Sequence, residues 1–262
     1  MKLLFMLREY IIYRWLAYSA YEVHSPFVFR FITDVLHDKR FFDAFEEIES
    51  LRNYLLQDHS VILAEDLGAG SHTMQSTGRK ISDIARTNLV SQRFGQLLFR
   101  MVNYYQPLHI LELGTSLGIS TLYMAKADGR ASVVTLEGSA SIAAMAEKNF
   151  QKTKTGNISV ITGEFSTTLP LACAQLKQLD LVFIDGNHRK QPTLQYFHEC
   201  LLHAADHTIM VFDDIHWSSE MKGAWKEIIA HPSVTLSIDL FFKGIIFFRK
   251  DFKAKQHFIL KY

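Results

Sequence analysis

The sequence predicts an α/β fold, a mostly parallel, doubly wound sheet that ends in an antiparallel β-hairpin and follows a mainly helical N-terminal extension. Three observations lead there. From about Gln92 onward, short apolar runs alternate with helical patterns, the order that gives right-handed crossovers. Runs such as LVFI at 181–184 and IMVF at 209–212 are apolar throughout, which suits strands buried on both faces of a parallel sheet. Near the end, strand-like runs at 235–242 and 245–249 are joined only by Lys243-Gly244, a connection short enough only for antiparallel neighbours.

Taken in order, residues 2–22 place Tyr10, Ile11, Ala17, Tyr18 and Tyr21 at helical spacing. The opening MKLLFML is too short for a signal peptide or a membrane span. The helix is therefore expected to pack on the main domain or on a second subunit, with a membrane surface as the alternative. Ser25-Pro26 reads as a cap and first-turn proline of a helix toward Leu36. Asp43 and Glu46 have capping-box spacing before Phe45, Ile48, Leu51 and Leu55. A short strand at 61–63 precedes the turn Leu67-Gly68-Ala69-Gly70-Ser71. A helix with Phe94, Leu97, Leu98 and Met101 runs to Pro107. Strands follow at 109–113, 133–136, 158–162, 181–185 and 208–213. Between and after them come helices from Ser120, over 142–150, after Thr167, over 193–202 and through Trp225. This divides the chain into residues 1–91, a helical extension serving as lid, acceptor side or oligomer contact, and 92–262, the ligand-binding domain.

Composition narrows the class. The 262 residues are 48% hydrophobic and 21% charged with a net charge of +1, so no global field favours nucleic acid or an acidic membrane. Cys173 and Cys200 make no disulfide framework and lack metal-type spacing, and read as small buried hydrophobes. The absence of a targeting pattern makes the cytoplasm the expected location. Arg79, Arg86, Arg93 and Arg100 recur every seven residues, but Asn88 and Ser91 interrupt any single helix, and a solvated face is expected.

The chemistry concentrates in LELGTSLGIS, 111–120. A strand ends in Glu112, a glycine turn with Gly114, Thr115, Ser116 and Gly118 follows, and a helix begins. Glycines let a backbone approach a ligand, and Ser120 with the helix N-terminus offers donors to an anion. The spacing Glu-x-Gly-x-x-x-Gly is not the Gly-x-Gly-x-x-Gly of dinucleotide sites. The next strand ends in Glu137, placed to accept both hydroxyls of a ribose. Asp185, Asp213 and Asp214 end two later strands. Three converging carboxylates repel unless a cation or a proton intervenes, and hard oxygen donors suit Mg²⁺ or Ca²⁺. The alternative is that Asp213 or Asp214 caps the following helix. His188, three residues after Asp185, is either a general base or a hydrogen-bonded loop residue. His216 and Trp217 are either a pocket wall or packing.

The order LELGTSLGIS, VTLEGS, ITGEF, LDLVFIDGNH, IMVFDDIHW resembles the class I S-adenosylmethionine-dependent methyltransferases, and within them the catechol and sugar O-methyltransferase type, over about residues 92–250. The resemblance implies a Rossmann-like fold and a cofactor site of Glu112, Gly114, Thr115, Ser116, Gly118, Ser120, Glu137 and Asp185. It places the adenine near Gly163, Glu164 and Phe165. It implies a divalent metal on Asp185, Asp213 and Asp214, with Asp-Asp standing where the catechol type has Asp-Asn. His188 then replaces that type's general-base lysine, and Asp185 and His188 form the catalytic pair. The expected acceptor is a small hydroxylated molecule, with no nucleic acid partner and a homodimer contact left open. A nicotinamide-dependent oxidoreductase and a noncatalytic binding module are the rival readings. The earlier motif Glu65-Asp66-Leu67-Gly68-Ala69-Gly70 lacks a second apolar strand ending in an acid, so cofactor binding is assigned to the later turn.

Overall fold

A computed structural model describes residues 2–65 and 76–262 of the chain. The turn 67–71 and most of the earlier glycine motif lie outside the described residues. The chain opens with α1 (Lys2–Leu16) and α2 (Pro26–Arg30), which continues as one π-helical stretch over Phe31–Leu36. Pro26 takes the first helical position, where its missing N–H costs nothing. In α3 (Asp43–Gln57) Phe42 is the N-cap, so the capping-box reading of Asp43 and Glu46 is corrected. Both acids sit in the first turn, where the helix dipole favours them. The hairpin β1 (Val61–Glu65) and β2 (Ser76–Lys80) precedes α4 (Ile81–Asn88) and α5 (Gln92–Tyr105). The Ser91 hydroxyl caps α5 by accepting from Phe94 N–H at 3.3 Å.

The expected alternation follows: β3 (His109–Leu113), α6 (Ile119–Ala127), β4 (Ser132–Glu137), α7 (Ala140–Lys152), β5 (Ile158–Thr162), α8 (Phe165–Leu176), β6 (Leu179–Ile184), α9 (Lys190–Leu201), β7 (Ala204–Phe212) and α10 (Ser219–Ala230). The chain closes with β8 (Leu236–Asp239), β9 (Gly244–Phe247) and β10 (Gln256–Ile259). The architecture is mixed α/β with mostly parallel strands, as the apolar runs predict. Among the described residues, no helix is long and apolar enough to cross a membrane.

The chain divides into two compact units. One comprises Met1–Leu36 with Lys177–Tyr262, the other His37–Leu176. In the second, β3, β4 and β5 run parallel in that order, with α6, α7 and α8 against them. Its core includes Phe94, Leu97, Leu98, Tyr123, Val133 and Val134. The hairpin β1–β2 packs on α7, and Ser141 donates to the Leu63 carbonyl at 2.5 Å.

In the first unit, β6 and β7 are parallel, β9 lies antiparallel between β7 and β8, and β10 pairs parallel with β8. Two details correct the expected terminus. The sheet extends one strand beyond the hairpin, and four residues, 240–243, connect β8 to β9. The longer turn closes because Leu240 N–H donates to the Lys243 carbonyl at 2.9 Å. Phe241, with φ 72°, donates its N–H to Asp239 Oδ1 at 2.8 Å. Gly244 starts β9 against the Trp225 ring, which a Cβ would meet at 2.6 Å.

The N-terminal helix is stitched to the C-terminal strands of its unit. Tyr13, Ala17 and Phe241 form one buried cluster. The Tyr13 hydroxyl donates to the Leu260 carbonyl at 2.5 Å, and Tyr18 N–H donates to the Ile259 carbonyl at 2.8 Å. Cys173 and Cys200 are buried, as expected. Arg79 lies on β2, Arg86 on α4, and Arg93 and Arg100 on α5, so no single helix carries the basic repeat.

Candidate functional site

The predicted site residues fall into two clusters, one in each unit. In the unit His37–Leu176, the register of β3 and β4 sets Glu112 opposite Thr135. Glu112 is fully buried and its Oε2 accepts from the hydroxyls of Thr121 and Thr135, the latter at 2.7 Å. Burial pushes its carboxyl up to about 7, against the pull of the Ser120, Thr121 and Thr135 hydroxyls. Its Oε1 is buried without a hydrogen-bond partner, as is the Ser116 hydroxyl oxygen on the turn that follows.

That turn is seated on the end of β4. Gly114, with φ 106°, and Thr115 both donate their N–H to the Leu136 carbonyl, at 2.9 and 3.1 Å. The Thr115 hydroxyl is turned inward to Thr135 at 2.6 Å, so its side chain is structural. Gly118 has a different task from the expected ligand approach. It is the N-cap of α6 with φ 85°, and a Cβ there would meet the Phe150 ring at 2.4 Å. Its glycine is demanded by handedness and by helix packing. Ser120, in the first turn of α6, is buried.

Glu137 ends β4 half-buried. Its Oε2 accepts from Ser116 N–H at 2.9 Å and its Oε1 from Ser139 N–H at 3.0 Å. Burial raises its carboxyl above the ordinary range, and these backbone donors oppose the shift. Gly163 N–H donates to the Glu137 carbonyl at 2.9 Å, which brings the loop after β5 beside the same acid. There Glu164 is exposed and its carbonyl accepts from Thr167 and Thr168 N–H at the start of α8, while Phe165 is half-buried. The structure thus gathers Glu112, Gly114, Thr115, Ser116, Glu137 and Gly163 at one strand edge.

These residues fit an adenosyl amino acid. A carboxylate has about four acceptor directions, so Glu137, held by two N–H donors, retains capacity for the two hydroxyls of a ribose. The orphaned Glu112 Oε1 lacks a donor, and a ligand ammonium is one. A buried carboxylate oxygen left without a partner is costly, which makes it a mark of a missing one.

The second cluster lies in the other unit. Asp185 follows β6 and Asp213 follows β7, tied by Asp213 N–H donating to the Ile184 carbonyl at 2.9 Å. Burial first, and the Asp213 carboxylate second, hold the Asp185 carboxyl well above its usual range. His188, with φ 33°, sets Nε2 3.6 Å from Asp185 Oδ1 and Nδ1 3.8 Å from Asp214 Oδ2. The expected catalytic pair is therefore brought together, with Asp214 on the far side of the ring. The helix-cap alternative for the acids is excluded, because Ser218 caps α10 by accepting from Met221 N–H at 3.1 Å.

The metal reading of Asp185, Asp213 and Asp214 does not fit. Among the described residues, no group of three histidine, cysteine, aspartate or glutamate side chains is arranged to hold a metal ion. The physical reason is Lys243, which sequence reasoning missed. Its ammonium ion-pairs with Asp213 Oδ1, both side chains being mostly buried at 13% and 9% exposure. The countercharge expected of Mg²⁺ or Ca²⁺ comes from the chain itself.

His216 resolves to packing. It lies stacked on Phe241 and is bonded to Asp239 Oδ2 at 2.7 Å, with Glu9 Oε2 3.9 Å away. Glu9, 3% exposed, also pairs with the Lys222 ammonium, which fixes α1 to this network. No local sequence signal announces Glu9 or Lys222, which are 213 residues apart.

Residues 111–215 match the family described as a methyltransferase domain. A catechol O-methyltransferase of Niastella koreensis is 34% identical over 131 residues, 48% of this chain and 58% of the relative. One of Mycobacterium tuberculosis is 28% identical over 158 residues, 60% of this chain and 68% of the relative. The chain therefore spans little more than half the length of the first of these. Among solved structures, an S-adenosylhomocysteine-bound methyltransferase of Podospora anserina superposes with a TM-score of 0.60 at 17% identity, covering 87% of this chain and 97% of that one. An O-methyltransferase of Bacillus cereus in complex with S-adenosylhomocysteine gives 0.57 at 20% identity, covering 84% and 96%. Residues 111–215 thus match a methyltransferase domain, and the chain shares the Rossmann-like fold of the solved methyltransferases.

Proposed function

We propose that the chain transfers a methyl group from S-adenosylmethionine to a hydroxyl of a small-molecule acceptor. The observation that carries this reading is Glu137, clamped between Ser116 N–H of the glycine turn and Ser139 N–H after β4, beside the orphaned Glu112 Oε1. When bound, the donor supplies an electrophilic sulfonium methyl, so the protein's task is mainly to align the partners and remove a proton.

In this reading Glu137 holds the ribose hydroxyls and Glu112 receives the amino acid ammonium. Gly163, Glu164 and Phe165 border the adenine. His188 takes the acceptor proton at a ring nitrogen, with Asp214, 3.8 Å from Nδ1, stabilising the imidazolium that forms and Asp185, 3.6 Å from Nε2, orienting the ring. No step passes through a divalent metal. Cytoplasmic residence belongs to the same reading. So does a homodimer contact through the exposed Leu4, Leu7, Ile11 and Trp15 of α1, which sedimentation at several concentrations would reveal.

Calorimetry of the intact protein with S-adenosylhomocysteine tests the cofactor assignment. Binding is expected, and Glu137→Ala should weaken it by about tenfold to a hundredfold, the worth of charge-assisted hydrogen bonds. A fall of about 10²–10⁴ in methyl transfer to catechol in His188→Asn, with cofactor affinity retained, would support the proton role. No association with the donor product, alongside a thermal shift with NAD(P), would overturn the reading.

A further inference from the structure

The acidic cluster already contains a cation. Asp185, Asp213 and Asp214 stand at the ends of β6 and β7, where unscreened like charges repel. The Lys243 ammonium lies on Asp213 Oδ1 in a mostly buried ion pair. Its backbone is fixed on both sides. The Lys243 carbonyl accepts from Leu240 N–H, and Ile215 N–H, two residues after Asp213, donates to the Phe242 carbonyl at 3.2 Å. On the next residue, Gly244 lies against Trp225. The lysine is therefore delivered to the carboxylate by the β8–β9 turn and does not reach it as a loose surface side chain.

We infer that Lys243 is the resident cation of this cluster, occupying the position a divalent metal would need on Asp213, and that the chain works without such a metal. A dication drawn to Asp213 would sit beside the ammonium already on Oδ1, and the repulsion between the two cations in a mostly dry site is strong. The ammonium lies on Asp213 Oδ1 and brings N–H donors to the strand edge, where a metal would bring coordination positions. The consequence for catalysis rests on the proposed methyl transfer. The consequence for metal binding rests on the ion pair alone.

The test reads cation binding, with manganese chloride as the probe, by calorimetry on metal-free full-length protein. Wild type and Lys243→Arg should show no uptake that depends on Asp213. Lys243→Met, similar in length and uncharged, should bind Mn²⁺ at least about tenfold more tightly than wild type, and adding Asp213→Asn should abolish that gain. Circular dichroism and S-adenosylhomocysteine binding report whether each variant is folded. Uptake by wild type that Asp213→Asn removes would overturn the inference, and this arm needs no Lys243 variant. So would a folded Lys243→Met protein that binds no better than wild type. Failure of the methyl-transfer reading would appear separately, as absence of S-adenosylhomocysteine binding in every protein.

Discussion

Glu112 makes the stability of the protein depend on pH in a way that one substitution should remove. Its carboxyl is raised from 4.5 to about 7 by complete burial. A folded state that holds a proton more tightly than the unfolded chain is stabilised below the unfolded value and loses that stability as pH rises through the folded one. The window is therefore about pH 4.5 to 7, and the shift corresponds to about 3 kcal/mol. Glu112→Gln keeps an oxygen for the Thr121 and Thr135 hydroxyls and carries no charge. Urea unfolding at about pH 5 and about pH 8 should show wild type losing about 2.5 kcal/mol more than the variant across that interval. Other titrating groups cancel in the comparison. Identical pH dependence in the two proteins would refute the argument. A ligand ammonium at Oε1 favours the ionised form, so S-adenosylhomocysteine binding near pH 6 should release a proton from wild type. That release appears as a heat that varies with the ionisation enthalpy of the buffer, and it should be absent in the variant.

Gly118→Ala combines a left-handed backbone with a collision at Phe150, and should destabilise the protein by about 2–4 kcal/mol in urea unfolding. Adding Phe150→Leu should recover only the collision. Glu9→Ala leaves the partly buried Lys222 ammonium without its carboxylate partner. It should cost about 1–3 kcal/mol and speed amide exchange in α1, with exchange in β3 and β4 unchanged.

The sequence made the local features legible. Strands β3, β4, β6 and β7 are short apolar runs followed by an acid or a glycine, so Glu112, Glu137, Asp185 and Asp213 could be located by residue chemistry and period alone. The missed features arise from pairing at long range. β10 is a short strand after the lysine-rich 253–255 stretch, and only its partner β8 reveals it. Lys243 meets Asp213 because β9 inserts antiparallel between β7 and β8, a register that a pattern of apolar residues does not encode. Gly118 was read as room for a ligand because the Phe150 ring that needs its space is 32 residues away, and the Gly118 backbone angle is not written in its neighbours.

The hydrogen bond from Tyr13 to Leu260 joins residues 247 positions apart. During synthesis at about 5–20 residues per second, α1 leaves the ribosome roughly 10–50 s before the strand segment that receives it. Its apolar face, Tyr13 and Ala17 included, must wait through that interval without a native partner. The remaining middle portion, His37–Leu176, can meanwhile assemble from contacts within itself. Until residue 260 is out of the ribosome, that uncovered face is open to association with other unfinished chains.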